Sequence, residues 1–101
     1  MIALDVRPGA RRAVRYTVDL GGVSVVLRLR WLPRLSRWSL IVETPGGDRL
    51  TPQLVVHAGA EVPLDTTSED APAGTLRWTG PERYSRTDLG RGLRLLYEEA
   101  P

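Results

Sequence analysis

The chain has 101 residues and a formal net charge of +2, with 42% hydrophobic and 26% charged residues, the profile of one globular domain with material for a single core. It contains no cysteine, which excludes disulfides and thiolate metal sites and leaves the redox compartment unread. No stretch approaches the ~20 apolar residues of a membrane helix, and the N-terminus MIALDVRPGARR is charged too early for a secretory signal, so a soluble chain not exported by that route is expected.

Residues 1–13 carry Pro8-Gly9 and three arginines, Arg7, Arg11 and Arg12, and read as an N-terminal arm or edge segment ahead of a single β-domain over 14–101. Alternation then begins. Val14, Tyr16, Val18 and Leu20 share one face and Arg15, Thr17 and Asp19 the other, the period of two of a half-buried strand. Gly21-Gly22 follows, and both central positions of a tight hairpin turn require positive φ. The next strand spans 23–31, with Val23, Val25, Leu27, Leu29 and Trp31 opposite Ser24, Val26, Arg28 and Arg30. After a connection containing Pro33, a third strand spans 38–43, and the turn TPGGD leads into a fourth over 50–57, completing a meander.

Residues 58–74 lose all period and carry Asp65, Glu69 and Asp70, as a long surface loop would. Strands are predicted again at 75–79 and 93–98. No segment sustains helical spacing for the dozen or so residues that would mark a helix. The fold class is therefore all-β, a small antiparallel barrel or sandwich of about six short strands.

The stretch RLRWLPRLSRWSLIV at 28–42 interleaves arginines with tryptophans, which raises the question of a nucleic-acid surface. A stacking platform needs rings and cations on one exposed face. Here Arg28 and Arg30 alternate away from Trp31, Arg77 from Trp78 and Arg94 from Tyr97, so Tyr16, Trp31, Trp38, Trp78 and Tyr97 are expected in the core, with each indole N–H finding a partner at its rim. Arg28, Arg30 and Arg94 then form a polar outer face whose planar guanidinium groups suit carboxylates. Charge is uneven along the chain: residues 1–50 hold nine arginines against four acids and residues 51–101 hold five against eight. Such bipolarity suits contacts between copies or with charged neighbours, or neutralisation of one half by the other within the fold.

Catalytic and cofactor signals are lacking. His57 is the only histidine and reads as a strand-end residue. No nucleophile elbow surrounds Ser24, so a grouping with His57 and Asp88 has no local support. DTTSED lacks the alternating oxygen ligands and glycine of a calcium loop, and PGGD and GRG precede no helix and so are not phosphate loops. The expectation is a non-enzyme without metal or cofactor.

The order VDLGGVSVVLRLRW, a short arginine-containing loop, RWSLIVETPGGDRL, an aperiodic middle and RTDLGRGLRLLYEEA is similar to the small baseplate plug, or hub-associated, β-domain of tailed bacteriophages. The similarity spans residues 14–98: an arginine-rich LRLRW strand end, a tryptophan opening the next strand, a glycine turn and a closing DLG…RLLY strand. Gly46-Gly47-Asp48 stands where that family often has a DG turn, and the acidic middle has no counterpart. The resemblance implies a structural virion protein at the tail tip, present in the host cytoplasm during assembly, contacting hub and tail tube proteins in several symmetry-related copies. It implies no catalysis and no membrane. The arginines named, Arg7, Arg11, Arg12, Arg28, Arg30 and Arg94, are the expected contact residues. The rival reading is a small nucleic-acid-binding β-barrel, supported by the arginine count and opposed by the segregation of faces; a third is an adaptor or antitoxin-like module for one host protein.

Overall fold

The computed structural model describes residues 2–4, 6, 11–64 and 71–99. Its frame is set by the hairpin of β2 (Ala13–Leu20) and β3 (Val23–Leu32). Gly21 and Gly22 have φ of 62° and 88°, the left-handed pair that a two-residue turn demands and that a twisted hairpin favours. With that loop length Leu20 faces Val23, and every later pair is determined: Tyr16 faces Leu27, Arg15 faces Arg28 and Ala13 faces Arg30. β4 (Arg37–Glu43) returns along β3 with Trp31 facing Trp38, and β5 (Leu54–Val55) closes the sheet in the order β2-β3-β4-β5.

The second sheet has the order β1-β8-β7-β6, formed by β1 (Ile2–Ala3), β8 (Arg94–Glu98), β7 (Thr75–Thr79) and β6 (Glu61–Val62), and all its pairings are antiparallel. Inward residues of both sheets form one core, with Val25, Leu27, Leu29, Trp38, Leu40 and Val42 from the first and Leu76, Trp78, Leu95 and Tyr97 from the second. The architecture is an all-β sandwich of two antiparallel sheets, and residues 86–88 add only a single 3-10 turn.

Three segments differ from the sequence reading. The strand expected over 50–57 shrinks to two residues. Glu43 bridges Arg49, whereas Ser39 faces Val55, so the register shifts by two across residues 51–53. There Pro52 has no N–H to offer, and the Val42 N–H is taken up by the Thr51 hydroxyl at 3.0 Å in place of a ladder carbonyl. The aperiodic middle, expected to be loop, contributes β6, whose Val62 is buried and whose Glu61 meets Arg77 across the strands at 2.8 Å. The acidic cluster Asp65, Glu69 and Asp70 lies outside the described residues. Within the predicted arm, Ile2–Ala3 pair with β8 and Val6 is buried in the core, so the edge-segment reading describes these residues better than a projecting arm.

The connection from β7 to β8 is pinned to the first sheet. Tyr84 is buried, edge-on to Trp31 at 6.5 Å between centroids, with the Arg37 guanidinium 5.6 Å from its own ring centre. Trp31 in turn meets Trp38 edge-on at 5.6 Å, and the Trp38 indole donates to the Arg86 carbonyl at 3.1 Å. These T-shaped contacts suit the opposed charge of ring edge and ring face.

Candidate protein-docking face

Period-two alternation sends Ala13, Arg15 and Thr17 of β2, Val26, Arg28 and Arg30 of β3, and Ser39, Ile41 and Glu43 of β4 to the side of the first sheet away from the core. This side is not uniformly wet: Val26 is 2% exposed, Ser39 2% and Glu43 9%. An open concavity of about 720 Å³ lies over it, lined by Arg15, Arg28, Arg30 and Arg49 around the one carboxylate of Glu43.

The register explains the cluster. Arg28 lies directly opposite Arg15 on one side and Ile41 on the other, and its guanidinium reaches diagonally to Glu43, Nη1 to Oε1 3.4 Å. Arg49 reaches the same neighbourhood because it bridges Glu43 from the far side. Arg30 faces Ser39, whose hydroxyl donates to the Arg30 carbonyl at 3.2 Å and accepts from the Gln53 amide at 3.2 Å. Among the described residues, Arg15, Arg30 and Arg49 have no ion pair. Like charges directly opposite in an antiparallel ladder are destabilising, so the facing of Arg15 and Arg28 is an unfavourable pair. None of the lining residues is aromatic, so bases have nothing on which to stack.

The predicted contact residues are not all brought together. Arg28 and Arg30 line the concavity. Arg94 does not share their face: it points outward from β8, in the other sheet, and donates through Nε to the Arg91 carbonyl at 2.8 Å. A single face of Arg28, Arg30 and Arg94 is therefore corrected to two faces, because alternation assigns a side of a strand and not the sheet to which the strand belongs. Arg11 and Arg12 are exposed just before β2; the Arg12 carbonyl accepts from the Trp31 N–H at 2.7 Å and the Arg11 carbonyl from Arg86 at 3.1 Å. Arg7 lies outside the described residues. Of the residues expected in the core, Trp38, Trp78 and Tyr97 are buried, whereas Tyr16 and Trp31 are half-buried and packed against its margin.

Sequence reasoning did not select Arg15, Arg49 or Glu43. Arg15 was within reach, since a two-residue turn at 21–22 makes facing residues sum to 43 and so opposes 15 to 28. Arg49 and Glu43 are brought together by the register of the turn at 44–48, which the PGGD sequence does not by itself specify. His57 is exposed and outside the concavity. Among the described residues no group of three or more His, Cys, Asp and Glu could hold a metal ion, and no helix is long and apolar enough to cross a membrane. Comparison with known proteins found no matching family model and no matching curated protein.

Proposed function

We propose that this chain is a non-catalytic structural protein of a tailed-bacteriophage baseplate, a plug or hub-associated domain working through protein contacts in a symmetric tail tip. Two things support the reading: the resemblance over residues 14–98, and the arginine-lined concavity, which is the observation that carries it. Four guanidinium groups around one carboxylate, without an aromatic ring, match acidic side chains of a neighbouring hub or tube protein, to which arginine offers bidentate hydrogen bonds. Quantitative mass spectrometry of purified tail particles tests it. The expected result is a low, fixed copy number relative to the major tube protein, lost when Arg28 and Arg30 are both replaced by serine. Absence from intact particles, or normal incorporation of the double variant, overturns it.

The same four arginines favour one other reading, a nucleic-acid-binding module. It requires affinity that falls steeply as salt rises. Negligible binding of single- and double-stranded oligonucleotides at low salt removes it.

A further inference from the structure

β2 is the outermost strand of its sheet and pairs, among the described residues, only with β3. The bond from the Trp31 N–H to the Arg12 carbonyl marks residues 12 and 31 as a hydrogen-bonded pair. Antiparallel ladders alternate such pairs with non-bonded ones, so the backbone groups of Val14, Tyr16 and Val18 turn towards β3 and those of Ala13, Arg15, Thr17 and Asp19 turn out from the sheet edge. The side chains of these last four are exposed on the outer face, while Val14, Tyr16 and Val18 are half-buried at the margin of the core. The edge thus offers a row of outward donors and acceptors, an incompletely covered apolar row and two opposite charges two residues either side of Thr17.

We propose that two copies of this chain pair antiparallel along β2 about a two-fold axis at Thr17. Arg15 of each copy then lies opposite Asp19 of the other, Thr17 opposite Thr17, and Tyr16 opposite Val18 in a close, non-hydrogen-bonded pair. Opposite charges, Thr–Thr and aromatic–β-branched pairs are the favourable cross-strand combinations. Only outward-turned residues can bond each other, so the alternatives slide by whole two-residue steps. Centring the axis on Arg15 or Asp19 opposes like charges, and centring it on Tyr16 or Val18 leaves Arg15 without a facing carboxylate. Charge therefore selects the register. Arg15 has no ion pair among the described residues, and the Asp19 carboxylate accepts only the Gly22 N–H, at 2.9 Å, leaving acceptor capacity free. The axis is perpendicular to the sheet, so both arginine concavities open on the same side of one continuous sheet. This pairing is an isologous interface and does not depend on the assembly in which the chain works.

Sedimentation velocity of the purified full chain over a dilution series tests the proposal. The wild type is expected as a monomer–dimer equilibrium. Thr17→Pro removes an outward N–H that makes no bond within the monomer, and is expected to give a folded monomer by circular dichroism. Arg15→Asp opposes like charges and is expected to raise the dissociation constant at least about tenfold, with Arg15→Asp/Asp19→Arg restoring the dimer. A wild type that stays monomeric throughout, a closed ring of three or more copies, or a dimer indifferent to Thr17→Pro overturns the pairing. A double exchange that folds but stays dissociated overturns the register.

Discussion

The Tyr84 hydroxyl is held between two backbone groups of the first sheet, accepting from the Trp38 N–H at 3.1 Å and donating to the Val56 carbonyl at 2.7 Å. β5 ends at Val55, so this phenol substitutes for ladder bonds that the short strand does not make, and it ties the 80–92 connection to β4.

Replacing it by phenylalanine keeps the ring contacts with Trp31 and Arg37 and leaves the buried Trp38 N–H without its partner, while the Val56 carbonyl retains the Arg37 guanidinium at 3.3 Å. Tyr84→Phe is expected to lower unfolding stability by about 2 kcal/mol, read as a shifted urea midpoint at constant slope. An unchanged midpoint would mean that water replaces the hydroxyl.

Burial raises the Tyr84 pKa above its ordinary 10.0, outweighing the hydrogen bond to Trp38 and the Arg37 charge, which lower it. Tyr97 is raised too, by burial first and the Glu99 charge second, and its hydroxyl donates to the Ala73 carbonyl. A raised phenol pKa favours the folded state while both states are protonated; the unfolded chain ionises first, so that stability is lost as pH climbs through the folded value. Melting temperature is expected to fall above about pH 10, and Tyr84→Phe to flatten part of that fall. Equal slopes for wild type and variant would count against it.

Arg15 and Arg28 face each other and, among the described residues, the one ion pair offsetting them is that of Arg28 with Glu43. Arg15→Thr removes the repulsion and supplies a better strand former. At protein concentrations dilute enough to keep the chain monomeric, it is expected to raise stability slightly, by roughly 0.5 kcal/mol or less for so exposed a site, with the gain shrinking as salt screens the wild type. Thermal melts at low and high salt measure this, and a loss of stability at low salt would show that Arg15 is otherwise engaged.

Gly74 has φ of 113° at the entrance to β7, and a Cβ there would sit inside contact distance of the Glu98 carbonyl oxygen. Gly74→Ala is expected to cost at least about 2 kcal/mol, because the obstacle is backbone of the paired strand and cannot swing aside. A melting temperature within a degree of wild type would place that approach elsewhere.

The outlines of this fold are legible in the sequence wherever period and turn chemistry agree. Gly21-Gly22 between two alternating runs determines the β2–β3 pairing down to the facing residues. What alternation cannot convey is sheet membership: Leu93, Leu95 and Tyr97 read as inward, but nothing in their spacing says that β8 sits across the core from β3, and hence that Arg94 is remote from Arg28. Two-residue strands such as β6 are too short to show a period at all. Val26 and Glu43 illustrate a further limit, since both alternate outward and are nevertheless buried on the outer face, which alternation alone does not foresee.

The edges of the sandwich are unequal. Three of the four outermost strands, β1, β5 and β6, are two residues long, and the fourth, β2, has eight. A sheet that can be extended from both sides is a monomer for fibre growth. Among the described residues a long open strand is offered on one side only, so strand-to-strand association along it ends after a single addition and does not propagate into a filament.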